Sequence, residues 1–133
     1  MQLRDKRIIF AALTFGLIGI NQVALAEMRD LTKDEIIEMF SGKTVWGNHA
    51  RKNKRHMVYF SPDGTFKGKR LDKDGETEGK WYVDDENLLC KVKDGDTKCR
   101  RVVDKNGKIK KYKGKKKVWN YTKFKDGNCL EKC

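Results

Sequence analysis

The residues able to make a site in this sequence are four cysteines, two histidines, scattered carboxylates and an excess of lysine. The cysteines come first. Between Cys90 and Cys99 the chain reads KVKDGDTK, and Asp94-Gly95 is a hairpin signal, because a type I′ turn needs positive φ at both central residues. With that turn, Lys93 faces Asp96, and counting outward Cys90 faces Cys99 at a non-hydrogen-bonded position, where Cα atoms approach to about 4.5 Å. A disulfide spans such a distance. Turn and spacing together predict a Cys90–Cys99 bridge, with Cys129–Cys133 as its complement. Bridged cysteines leave no thiolate nucleophile.

Hydrolysis needs a nucleophile, a base within reach and a group to orient the base. His49 and His56 both sit in a basic stretch that works against an imidazolium, Ser41 closes a predicted helix, and Ser61 precedes a Pro-Asp-Gly turn. Carboxylates such as Asp63, Asp72, Asp84 and Asp94 fall in turns, where they serve backbone geometry. Asp72-Lys73-Asp74-Gly75 opens like a calcium loop, yet the residue where the closing bidentate Glu belongs is Val83. The histidines and cysteines show no zinc-ligand spacing. These readings name no catalytic residue, metal or cofactor; a hydrolase using a pair of carboxylates is the alternative.

Charge is the remaining signal. Thirty-one Lys and Arg against 19 Asp and Glu set a net charge of +12, which points to anionic partners. Two clusters carry the excess: Arg51, Lys52, Lys54 and Arg55, then Lys108, Lys110, Lys111, Lys113, Lys115, Lys116 and Lys117 with Tyr112 among them. Together they form the candidate polyanion-binding set. The second cluster is lysine throughout, which favours diffuse attraction over bidentate recognition.

The elements that must carry these residues are mostly strands. Leu31 to Gly42 predicts the one helix: Thr32 and Glu35 match a capping box, Leu31 and Ile36 a hydrophobic staple, and Ile36, Ile37 and Phe40 an apolar stripe. Beyond Lys43, turn signals recur between short β-prone runs: Thr44–Gly47, Met57–Ser61, Thr65–Arg70, Glu78–Val83, Leu88–Lys93, Asp96–Val103, Lys108–Lys113 and Val118–Phe124. The fold class is mainly β: a short N-terminal helix packed on an antiparallel up-and-down meander, either a small barrel or a curved sheet. The aromatic rings are read as core.

Residues 1–26 read as a cleaved signal peptide: Arg4, Lys6 and Arg7 form the basic region, Ile8 to Ile20 the apolar one, and Ala24-Leu25-Ala26 the cleavage site. Residues 27–133 then form a single small β-rich domain with a basic C-terminal part and no further membrane-spanning segment. Paired cysteines suit such an exported chain. The runs LT-K-D-E-I (Leu31 to Ile36), YFSPDGT (Tyr59 to Thr65) and GKWYVDDENLLC (Gly79 to Cys90), with the later Cys99 and Val102, resemble a family of small exported bacterial proteins catalogued as domain of unknown function 995. The resemblance spans Leu31 to Phe124 and implies an exported β-rich domain with a Cys90–Cys99 bridge. The functional expectation is a periplasmic or secreted, non-enzymatic binding protein for an anionic envelope component such as lipopolysaccharide or an acidic polymer, with nucleic acid disfavoured.

Overall fold

The computed structural model describes residues 28–133; the stretch read as a signal peptide lies outside the described residues. In chain order the elements are β1 (Met28–Asp30), α1 (Lys33–Phe40), β2 (Lys43–His49), β3 (Arg55–Phe60), β4 (Thr65–Arg70), β5 (Glu76–Val83), β6 (Leu88–Lys93), β7 (Asp96–Lys105), β8 (Lys108–Lys113) and β9 (Lys116–Asp126). From β2 onward each strand pairs antiparallel with the next. β9 returns to β2, with Val45 opposite Phe124 and His49 opposite Trp119. The meander therefore closes into an eight-stranded barrel. β1 adds to β7 beyond the end of β6, with Asp30 opposite Val103.

Local chemistry sets the register. Asp94 and Gly95 have φ of 52° and 79°, as a type I′ turn requires. Lys93 then faces Asp96 and Cys90 faces Cys99, and the two cysteines are bridged with Cα atoms 4.0 Å apart. Cys129 and Cys133 form the second bridge. The irregular tail that carries it is anchored by the buried Thr44 hydroxyl, which donates to the Gly127 carbonyl at 2.7 Å and accepts from the Cys129 amide at 2.8 Å.

α1 closes one end of the barrel. Thr32 and Glu35 form the capping box, and Glu35 is also held by Arg29 at 2.9 Å. Ile36 and Phe40 are fully buried, one helical turn apart, whereas Ile37 is 38% exposed. The expected stripe is corrected here: a 100° step per residue turns Ile37 away, and Met39 joins the core instead. Phe40 meets Phe60, Tyr121 and Phe124 edge-on at 5.2–5.3 Å. Leu31, Val83, Leu89 and Val102 complete this apolar end. The Lys33 amide donates to Asn87 at 2.7 Å and so docks the helix on the β5–β6 turn.

Because every neighbouring pair is antiparallel, the β2–β3, β4–β5, β6–β7 and β8–β9 turns share the opposite end. That end has no helix over it among the described residues.

Candidate functional site

The turns at the helix-free end bring distant basic residues together. The loop of residues 50–54 lies beside the start of β9, where the Ala50 amide donates to the Val118 carbonyl at 3.1 Å. Arg51 and Lys52 from this loop and Lys113, Lys115 and Lys116 from the β8–β9 turn are exposed, while Lys54 and Lys117 are half-buried. His49 organises the loop: its Nδ1 accepts from the Arg51 and Lys52 amides at 3.0 and 3.1 Å. Burial, then Lys52, Lys54, Lys116 and Arg51, lowers its pKa, so charge from both basic clusters reaches this one ring. The two clusters form a cationic rim.

Three members of the sequence-derived set do not belong to that rim. Lys108 sits at the β7–β8 turn, at the helix end. Lys110 points outward and donates to Asn120 at 2.8 Å. Lys111 points into the barrel.

Below the rim lies a cavity of about 150 Å³ lined by Val45, His56, Val58, Phe60, Lys91, Lys111, Trp119 and Tyr121. Phe60 and Tyr121 form its floor, resting on Phe40 of the helix. Lys91 and the cross-strand pair of Lys111 and Trp119 form its upper wall. Lys91 Nζ stands 4.7 Å from the Phe66 ring centre and Lys111 Nζ 5.6 Å from that of Trp119. Such cation–π contacts compensate an ammonium in part. Among the described residues no carboxylate comes within salt-bridge reach of either lysine. Lys98 and Arg100 share the inner face, opposite Lys91 and Leu89, and deepen the positive field.

The cavity tells on its ionisable groups. Burial, and then Lys93 and Lys98, pulls the Lys91 ammonium down to about 8. Burial followed by the charges of Lys91, Arg100 and Lys98 pulls Lys111 to about 7. His56 falls to about 4, again through burial first, with Lys91 and Arg70 adding to it. Its Nε2 is buried without a hydrogen-bond partner. The nearby Asp72 does not neutralise the group, because it is engaged by the Arg70 guanidinium and the Arg55 amide.

Gly47 makes room for the wall. A Cβ at this position would clash with Trp119 Nε1, so only glycine lets the indole cross β2. The β2–β9 register shifts at the same place, between Trp46 and Gly47.

Sequence reasoning missed Lys91, His56 and Trp119 as site residues, and placed Lys111 on the surface. The available signal was period two: Leu89–Lys91 and Ile109–Lys111 each put a lysine on the face of a core residue.

Elsewhere, Asp84, Cys90 and Cys99 bring their ligand atoms within 4.8 Å of one another, but both sulfurs are committed to the disulfide. A shallow outer groove is lined by Lys67, Lys69, Lys93, Glu76, Glu78 and Glu131, with Lys69 and Glu131 paired at 3.5 Å. No protein-family model, curated protein or solved structure matches the chain. No described helix is long and apolar enough to cross a membrane.

Proposed function

We propose that this is an exported, non-enzymatic binding protein that uses the helix-free end of its barrel to hold an anionic envelope component. The observation that carries this reading is the convergence of Arg51–Arg55 with Lys113–Lys117 around one mouth, two segments that are far apart in sequence. A rim of one sign concentrates counter-charge and steers a polyanion towards the opening. Two disulfides accord with an oxidising compartment, and the resemblance to domain of unknown function 995 accords with export. The carboxylate-hydrolase alternative has less support. Among the described residues no carboxylate lines the barrel cavity, and those of the outer groove are interleaved with lysines.

The test is titration with lipopolysaccharide micelles over a range of salt. Each neutralised lysine releases counterions, so affinity should fall steeply as salt rises. Reversing Lys115, Lys116 and Lys117 to Glu should weaken binding and flatten that salt dependence. Binding indifferent to salt, or unchanged in the triple variant, ends the proposal.

A further inference from the structure

We infer that the barrel cavity is a separate binding site for one small planar carboxylate, its charge held between Lys91 and Lys111 and its body laid on the aromatic floor. The inference goes beyond polymer binding at the rim and does not depend on it.

Lysines facing a barrel interior need an explanation. Leu31, Ile36, Phe40, Val83, Leu89 and Val102 at the closed end show that this sequence fills the interior with apolar side chains where stability alone decides. An unpaired charge taken from water is costly, and proteins keep such groups chiefly where something else neutralises them. Two ammonium groups on one cavity wall ask for an anion. Their cation–π partners Phe66 and Trp119 hold them in place without removing the charge.

The rest of the lining narrows the ligand class. Val45, Val58 and Phe60 offer nothing to a fully hydrated ion, so an apolar body must accompany the charge. The volume of about 150 Å³ matches a cavity able to hold a single benzene-sized ring. Phe60, Trp119 and Tyr121 suit the faces and edges of a flat ring. A carboxylate offers two acceptor oxygens, one for each lysine. His56 adds a third polar contact: neutral near pH 7, it has a buried Nε2 awaiting a partner, and one nitrogen of a neutral imidazole donates. An inorganic phosphate would satisfy the lysines but leave the floor unused.

Benzoate is the probe, and benzamide is its neutral isostere. Calorimetric titration of the oxidised protein should show one saturable benzoate site, with benzamide weaker by about tenfold or more. Inorganic phosphate should also bind more weakly than benzoate. Lys91→Met and Lys111→Met should each weaken benzoate by about tenfold or more, whereas the rim variant Lys115→Glu/Lys116→Glu/Lys117→Glu should change it by less than about threefold. Circular dichroism checks that the variants remain folded; the wild-type comparison of benzoate with benzamide stands without them. Benzamide equal to benzoate, phosphate tighter than benzoate, full benzoate affinity in the folded double Lys→Met variant, or no saturable benzoate binding would each overturn the inference. Because the rim variant reports polymer binding separately, loss of one reading leaves the other intact.

Discussion

The two ends of the barrel use their inward-facing positions in opposite ways. At the helix end Leu31, Ile36, Phe40, Val83, Leu89 and Val102 fill the space and Phe40 contacts three rings. At the other end the same alternation delivers His56, Lys91, Lys98 and Lys111. Burial of apolar surface explains the first arrangement by itself. It argues against the second. Apolar packing is concentrated at the closed end, and the open end holds cationic residues that the inferred anion would compensate.

Substitutions at the two ends should therefore differ in sign. The largest loss belongs to Phe40→Ala, which removes the keystone ring of the closed end; urea unfolding should show destabilisation by about 3–5 kcal/mol. Next is the Cys90→Ser/Cys99→Ser pair. This bridge staples the β6–β7 hairpin beside the β5–β6 turn and should contribute roughly 2–3 kcal/mol. Cys129→Ser/Cys133→Ser should leave the fold intact, since the Thr44 hydroxyl still ties down the tail.

Lys111→Met should stabilise the unliganded protein at pH 7, by roughly 1–2 kcal/mol, because it replaces a desolvated amine with an apolar side chain. A loss of stability in this variant would break the comparison between the ends. The pH dependence sharpens it. Folded Lys111 releases its proton near 7 and Lys91 near 8, below the ordinary lysine value of about 10.4. Between those values the unfolded chain binds more protons, so stability should rise with pH across that window. The groups acting on Lys111 are Lys91, Lys98 and Arg100, and those acting on Lys91 are Lys93 and Lys98, all of one sign. His56 acts in the same sense at lower pH: its contribution is present above the usual 6.5 and is lost as pH falls to about 4. Thermal melts from pH 6 to 10 should show the rise in wild type and a flatter profile in Lys111→Met. Smallest of all, reversing the exposed Lys115 and Lys116 should alter stability by no more than about 0.5 kcal/mol.

Much of the framework was legible because it is written in local chemistry. Asp94-Gly95 dictated a turn whose register placed Cys90 against Cys99 through backbone geometry alone. Thr32 and Glu35 declared the helix start in the same way. Closure was less legible, since pairing β2 with β9 joins residues such as Val45 and Phe124 that no short-range rule connects. The site was the least legible part. Lys111 stands in a run of lysines whose other members face water or the rim, and composition cannot tell an inward lysine from an outward one. Only strand phase separates them, and the register shift between Lys111 and Tyr112 blurs that phase at the decisive residue.

Closure of the sheet has a consequence for partnership. A barrel whose last strand returns to its first offers visitors little free backbone; among the described strands, the unpaired margins include the three residues of β1 and residues 96–100 of β7 beyond its pairing with β8. These margins are short, so a peptide finds little to pair with as an added strand, the route by which many open sheets capture extended segments. Recognition therefore falls chiefly to side chains, across the turns or through the mouth. That geometry is also a form of discretion: the molecule can meet extended polypeptides while offering them little to template on.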